Sequence, residues 1–226
     1  MFMPQRSEFG VLKHGEIELD ADRVIPALER AAKKKEKSEA ETAAASQSLA
    51  NRKPKAARWY CVQTFPDAEF SVEKSMRDSG IEAAVPREMF IRVKRGTHEK
   101  EVVWRPLFPC YVMVRCVPSA YAFQALKRFI NVVDIIGGNG SYHVIRDEDA
   151  HVFMKIAEDG DVPRVATDKT ICELDRAFIH IGPFAGFECT VVTVKWCRMA
   201  RAKVRIVVQG RPFDIESMPV AFLKKL

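Results

Sequence analysis

Long hydrophobic runs are missing from this sequence of 226 residues. No stretch of about 18 apolar residues is present, and the N-terminus has no apolar segment of the kind found in signal peptides. We therefore expect no membrane partner. The six cysteines form no CxxC pair and no cysteine–histidine spacing of the zinc-finger kind, so neither a metal site nor a disulfide framework is expected. These absences predict a cytoplasmic protein with reduced cysteines.

Motifs for catalysis and for nucleotide binding are also missing. The five histidines are scattered, and no histidine or cysteine lies in a recognisable nucleophile motif. The glycine-rich segment 137–140 fits neither spacing of a phosphate-binding loop, so we interpret it as a hairpin connection. The sequence therefore predicts a protein that is not an enzyme and that uses no cofactor.

Charge of both signs is abundant and evenly spread. The formal net charge is +6, from 36 Lys and Arg against 30 Asp and Glu. This balance permits nucleic-acid contact, but a solvated mixed surface would look the same. Acidic residues are absent between Glu188 and Asp214, where several Lys and Arg occur, so one C-terminal hairpin is either a nucleic-acid contact or a solvated basic face.

Large apolar residues are scarce in residues 1–57, and residues 27–55 are mostly Ala, Lys, Glu, Ser and Gln. Such a segment can form a helix but has little surface to bury. We expect a mobile arm with transient helicity. The basic run at residues 33–37 would contact phosphates or merely keep the arm soluble, since acidic residues are interleaved.

Alternating strand and helix patterns begin at Arg58. Residues 59–64 predict a strand, and Pro66 with Asp67 predicts the start of a helix that ends at Gly80. Residues 81–85 predict a second strand, and residues 89–104 a hairpin with a basic tip. The inward face of the helix would carry Ala68, Val72 and Met76.

The next strand, residues 110–115, follows two prolines and carries apolar side chains on both faces. We predict a central strand that is buried on both sides or that covers a hydrophobic docking surface. A helix opened by Ser119, two strands around the glycine turn, and a helix from Asp147 with Val152 and Ile156 inward complete this part.

From Ile171 onward the pattern changes to short strands separated by turns, five in some 55 residues, as in a small bent barrel. The fold class is therefore α+β: an α/β sandwich followed by a β-barrel. The expected organisation is an arm at residues 1–57, a sandwich at 58–158, a linker at 159–170 and the barrel at 171–226.

Two groups of motifs follow one another along residues 58–226. The first group is Trp59-Tyr60, Gln63-Thr64, Glu69, Val72, Met76, Gly80-Ile81-Glu82 and Phe108-Pro109-Cys110-Tyr111-Val112. The second group is Gly182-Pro183-Phe184-Ala185-Gly186-Phe187, Gly210-Arg211 and Ile215-Glu216. The first group resembles the N-terminal domain, and the second the C-terminal KOW domain, of the NusG family of transcription elongation and antitermination factors.

The resemblance implies a ferredoxin-like sheet with helices, followed by a five-stranded SH3-like barrel. It also implies a monomeric factor that suppresses pausing and modulates termination. In the family, the N-terminal domain binds the clamp helices of the largest RNA polymerase subunit. By position, this polymerase contact falls on Phe65, Phe108, Pro109 and Tyr111.

Two further contacts are expected. The family's KOW domain recruits Rho or a small-subunit ribosomal protein, and that contact would involve Phe184, Phe187, Val208 and Gln209. Non-template DNA in the transcription bubble would lie near Lys94, Arg95 and His98 of the hairpin tip and near Lys127 and Arg128.

Departures from the family pattern favour a specialised paralogue. Cys110 stands where the family usually has glycine, and Gln209 stands where an aromatic residue is common. The charged arm is not part of the common pattern. Because an amide offers little apolar area, we expect the barrel to bind Rho or the ribosomal protein weakly, unless Val208 forms the patch instead. The alternative is a KOW-containing RNA-binding or ribosome-binding protein.

Overall fold

A computed structural model describes residues 21–93, 96, 99–138, 140–159, 167–196 and 200–226, without the side chains of residues 21–28. It divides into two compact units, residues 1–39 and 40–226. The α-helices among the described residues are α1 (Ala21–Ala45), α2 (Gln47–Arg52), α3 (Glu69–Asp78), α4 (Ala120–Lys127) and α5 (Asp147–Asp159). None of these described helices is long and apolar enough to span a membrane.

The strands among the described residues form two larger sheets and two short ribbons. Those before residue 146 are β1 (Arg58–Thr64), β2 (Glu82–Ala84), β3 (Arg87–Val93), β4 (Lys100–Pro106), β5 (Tyr111–Cys116), β6 (Val132–Ile135), β7 (Gly137–Gly138), β8 (Ser141–Tyr142) and β9 (Val144–Ile145). The later strands are β10 (Arg176–Ile179), β11 (Glu188–Lys195), β12 (Arg201–Val208), β13 (Arg211–Pro219) and β14 (Leu223–Lys225).

The first sheet has the order β2-β5-β1-β6, with β9 also paired to β1. All of its pairs are antiparallel, and Val62 lies opposite Val112 at its centre. The strand expected to be central, β5, is therefore flanked on both sides. The prediction that its two faces are both buried is confirmed, since every residue from Tyr111 to Val114 is buried.

Alternation along β1 and β5 divides the core into two clusters, because successive side chains of a strand point to opposite faces. One face carries Tyr60 and Val112, which pack with α3 and α4. The other face carries Cys61 and Tyr111, whose cluster includes Phe153 of α5 and continues into residues of the second sheet. One side of the first sheet is thus covered by helices, and the other by α5 and the C-terminal strands.

The second sheet has the order β13-β12-β11-β10-β14, and all of its pairs are antiparallel. A short 3-10 helix, Val220–Phe222, joins its last two strands in sequence. Its inward residues include Val191, Val204, Ile206 and Ile215, all with no exposed surface. Five short strands were expected here. The α+β class is therefore confirmed, and we call residues 58–158 the N-terminal domain and residues 171–226 the C-terminal domain.

Local differences from the sequence predictions have simple causes. Helix α3 begins at Glu69 rather than Pro66, because Asp67 adopts φ 61° in a turn that precedes the helix. In α5, Ile156 is buried as expected, but the second large inward residue is Phe153, because Val152 is 42% exposed. The ends of helices are set by backbone turns that apolar spacing alone does not reveal.

Residues 40–57 differ from the mobile arm expected over residues 1–57. They belong to the same compact unit as the two sheets. Ala45 and Ala50 are fully buried, and the backbone N–H of Gln47 donates to the Gly80 carbonyl at 2.8 Å. Glu41 is buried as well and forms an ion pair with Arg128. Small alanines pack here at close range, which a search for large apolar residues overlooks. Most of the expected linker, residues 160–166, lies outside the described residues.

Candidate functional site

The corner between β4 and β5 positions Phe108 and Tyr111, two of the three aromatic residues expected to bind polymerase. Cys110 adopts φ 70°, the left-handed conformation that glycine adopts without strain. Its amide donates to the Glu69 carboxylate at 2.5 Å, and its carbonyl accepts from the Thr64 amide at 2.8 Å. These two hydrogen bonds hold the strained corner in place. Phe108 and Tyr111 therefore project from a rigid backbone.

Both aromatic side chains are buried, at 2% and 3% exposure, and both contact the C-terminal domain. The Phe108 ring lies 6.2 Å from the Phe184 ring and 6.3 Å from the Phe222 ring, measured between centroids. The Tyr111 ring lies 5.1 Å from Phe184, and its hydroxyl donates to the Asp214 carbonyl at 2.9 Å. Burial raises the pKa of the Tyr111 hydroxyl well above its usual range. We call this packing of the two domains the closed arrangement.

Residues expected to bind the partner of the C-terminal domain lie on the other side of the same contact. Phe184 is fully buried in the turn that follows Gly182. Gly182 has φ 129°, and a Cβ there would lie 3.5 Å from the Phe108 ring. Phe187 is half-buried, with its ring 4.6 Å from the ring of His143. The two predicted binding surfaces thus cover one another.

A buried ion pair joins the domains beside this aromatic contact. Arg201 of β12 pairs with Glu88 of β3, and their side chains are 10% and 4% exposed. Arg105 of β4 also pairs with Glu88, at 2.6 Å. Arg201 donates to the Leu107 carbonyl at 3.3 Å as well. A buried carboxylate between two guanidinium groups is stable only while those partners remain in place.

A second polar link connects the β12–β13 turn to the N-terminal domain. Arg211 pairs with Asp134 at 2.9 Å, and a Cβ on Gly138 would come within 3.0 Å of the Arg211 side chain. Partial burial acts to raise the pKa of Asp134, but hydrogen bonds from Lys127, the Ile135 amide and Arg211 outweigh it and lower the pKa. The glycine turn, expected as a hairpin connection, forms the β7–β8 hairpin, and Gly138 leaves room for this arginine.

His143 lies in the closed arrangement and contacts the C-terminal domain. Its Nε2 lies 3.2 Å from the Pro183 carbonyl, across the domain contact. Burial lowers the pKa of His143 below its ordinary value, although the hydrogen bond to Pro183 acts in the opposite direction. Because the closed arrangement disfavours protonation of His143, we expect it to lose stability as the pH falls below about 6.5.

We expect acidification to separate the domains and to enlarge the molecule. Small-angle X-ray scattering across this pH range measures the change as an increase in the radius of gyration. The control is His143→Gln, which keeps a hydrogen-bond donor of similar size but does not titrate. A radius that rises equally in both proteins would assign the pH response to other groups.

The remaining residues expected to contact protein partners differ in their exposure to solvent. Phe65 is 57% exposed, and Pro109 is partly exposed in the corner between β4 and β5. Val208 is buried, whereas Gln209 is exposed and adopts φ 51° in the two-residue turn with Gly210. The side chain expected to replace the third aromatic of the patch thus stands at a hairpin turn, next to Gly138.

Of the residues expected near DNA, Lys127 and Arg128 already have partners within the protein. Lys127 pairs with Asp134 at 2.6 Å, and Arg128 pairs with Glu41. Lys94, Arg95 and His98 lie outside the described residues. The structure therefore brings none of these five residues together as a described basic patch.

An exposed apolar face on the β3–β4 ribbon was not anticipated, since only its basic tip was considered. Directly opposed residues of an antiparallel pair share a face, and here Met89 lies opposite Trp104 and Ile91 opposite Val102. All four are 44–55% exposed, as is Val93 on the same face. The alternation of apolar residues in 89–93 was the signal for this surface. We call these five residues the apolar ribbon face.

Comparisons with known proteins find relatives of this chain. Residues 57–154 match the family model described as "NusG: Transcription termination factor nusG". The chain is 30% identical over 170 residues to the transcription termination/antitermination protein NusG of Escherichia coli K12, covering 70% of this chain and 91% of the relative. The NusG of Vibrio vulnificus is 29% identical over the same shares.

A solved structure described as "Domain interaction in Thermotoga maritima NusG" is also similar, with a TM-score of 0.38 and 19% identity. The match covers 75% of this chain and 97% of that one. The 30% identity extends across nine-tenths of the Escherichia coli relative. The chain belongs to the NusG family of transcription termination and antitermination proteins.

Proposed function

We propose that this protein is an elongation factor that binds RNA polymerase through Phe108 and Tyr111 and that carries its own cover for this surface. The observation that supports the proposal is the burial of both side chains against Phe184 of the C-terminal domain. Polymerase then binds the form in which the domains have separated. Once bound at the clamp helices of the largest subunit, the factor suppresses pausing and modulates termination.

The closed arrangement lowers the apparent affinity for polymerase by the fraction of molecules that are open. If only the open form binds, the apparent dissociation constant is the intrinsic constant divided by that fraction. Phe108 and Tyr111 each exchange one apolar environment for another when polymerase binds. Polymerase offers no such replacement for the buried Glu88–Arg201 ion pair. Breaking this pair is therefore a free-energy cost of separating the domains.

The partner of the C-terminal domain is subject to the same competition. Phe184 and Phe187 are the aromatic pair expected to bind Rho or a small-subunit ribosomal protein, and both contact the N-terminal domain here. Binding of polymerase at one domain then releases the other, and the coupling is reciprocal. Gln209 at the turn leaves this patch with two rings, which favours weak recruitment.

The apolar ribbon face provides a contact that stays accessible in the closed arrangement. Five apolar side chains exposed together on a two-stranded ribbon are unusual on a surface without a partner. We assign them to the first encounter with polymerase, before the domains separate. Non-template DNA then lies near the ribbon tip.

The test is a pausing assay with purified core polymerase. The full chain should shorten pauses, and the double variant Ile91→Ser with Trp104→Ser should weaken polymerase binding about tenfold or more, because aromatic residues at interface centres contribute most of the affinity. The matched control is Tyr121→Ser with Val133→Ser, which removes an exposed aromatic and an exposed aliphatic side chain elsewhere.

Equal binding by the two double variants would remove the apolar ribbon face from the interface. The alternative function, RNA or ribosome binding through the basic strands β11 and β12, predicts a different result. Binding would then weaken steeply with salt, because phosphate contacts release counterions, and polymerase would show no affinity at any salt concentration.

A further inference from the structure

The exposed part of helix α1 carries an organised row of positive charge. Every residue from 29 to 40 is exposed. Four cations recur at the spacing i, i+3, i+4 and i+7, which places them on one face of a helix. They are Arg30, Lys33, Lys34 and Lys37. We call this row the basic stripe.

No ion pair within the part of the chain that the structure describes neutralises this stripe. The nearby pair Lys35–Glu39, at 3.9 Å, lies on another face of the helix. Within the stripe, like charges are neighbours at three- and four-residue spacing, which weakens an isolated helix by a few tenths of a kcal/mol per pair. Evenly aligned and unneutralised cations on a helix that buries nothing over this length indicate a polyanionic partner.

The composition of the exposed stretch selects among polyanions. Residues 29–40 contain no aromatic residue on which bases stack and no Asn or Gln that reads a base edge. Single-stranded nucleic acid is bound largely through such stacking, and the deep groove of double-stranded RNA does not admit a helix. A straight row of cations about 10 Å long, from the helical rise of about 1.5 Å per residue, fits the regularly spaced phosphates of duplex DNA.

We propose that the basic stripe of α1 binds the phosphate backbone of duplex DNA without sequence specificity. This contact is separate from polymerase binding and from the ribbon tip. It supplies a function for the basic run of the N-terminal arm, which is not part of the family pattern. A factor held in this way is kept close to the DNA duplex before it meets polymerase.

The experiment measures binding of the full chain to a short fluorescent DNA duplex over a range of salt concentrations. Neutralising the stripe should weaken binding about tenfold or more near physiological salt and should reduce the slope of log affinity against log salt by about 3 to 4. The stripe variant combines Arg30→Gln, Lys33→Gln, Lys34→Gln and Lys37→Gln.

The control removes the same charge from exposed positions outside the stripe, and circular dichroism checks that the helix content is equal in both variants. It combines Lys35→Gln, Lys74→Gln, Lys155→Gln and Lys224→Gln. Equal losses in the two variants would overturn the proposal, because net charge alone would then explain binding. Tighter binding to single-stranded RNA or to an acidic polypeptide than to duplex DNA would overturn it as well. Failure of polymerase binding leaves this result unaffected.

Discussion

Arg201→Glu should raise the affinity of the full chain for core RNA polymerase by about a hundredfold. Removing one partner of a buried ion pair costs about 3–5 kcal/mol, and a carboxylate at this position adds repulsion with Glu88. Each 1.4 kcal/mol changes an equilibrium constant about tenfold, so the equilibrium constant for closing should fall at least about a hundredfold. Affinity rises until nearly every molecule is open. Titration with labelled polymerase measures it.

Arg205→Glu is the matched control. Arg205 lies on the same strand, β12, undergoes the same change of charge, and pairs with Asp214 of its own domain at 2.6 Å. Its side chain is half-exposed, so this pair adds little stability and does not link the domains. We expect Arg205→Glu to leave polymerase affinity within about twofold of the wild type, since exposed pairs are worth at most about 1 kcal/mol.

Scattering separates the ways in which this prediction would fail. An Arg201→Glu protein that expands without gaining affinity would show that the covered aromatic surface does not bind polymerase. A protein that neither expands nor gains affinity would show that the aromatic contacts alone hold the domains together. The first outcome contradicts the proposed function, and the second contradicts the role of the ion pair.

Phe108→Ala should lower polymerase affinity much more in the Arg201→Glu background than in the wild type. In Arg201→Glu, where the domains are already apart, it should lower polymerase affinity about tenfold or more, as for an aromatic residue at an interface centre. In the wild-type chain the same change also weakens the closed arrangement, because Phe108 contacts Phe184 and Phe222. The gain from opening then offsets much of the loss.

Phe184→Ala in the Arg201→Glu background is the control, since its ring belongs to the domain that has moved away. We expect no change in polymerase affinity there, and an increase in the wild-type background. Binding kinetics on immobilised polymerase give all four values. If Phe108→Ala and Phe184→Ala behaved alike in the open background, Phe108 would be a core residue and not a contact.

The stability of the N-terminal domain must be followed in the same samples. Phe108 also packs against Phe153, at 5.5 Å between ring centroids, so its truncation leaves a cavity. Phe→Ala changes in cores cost about 3–5 kcal/mol of unfolding free energy. Denaturant titration shows whether the variant remains folded at the concentrations used for binding.

Local patterns in the sequence were sufficient for the elements and their order. The spacing of Val72 and Met76 and the glycine at residue 80 predicted α3, and apolar residues on both faces predicted that β5 is central. The five strands after Ile171 were predicted from turns and short apolar runs. These features depend on neighbours within a few residues, and side-chain periodicity records them directly.

Which surface covers which was decided only by the tertiary structure. From the sequence, β5 was either a strand buried on both sides or a strand that covers a docking surface. In the structure both interpretations apply, because Phe184 packs on Phe108 and Tyr111. Glu88 and Arg201 are 113 residues apart, and each looks like an ordinary surface charge in its own strand. Burial and pairing at such separations depend on how two domains meet, and no periodicity within either domain encodes that.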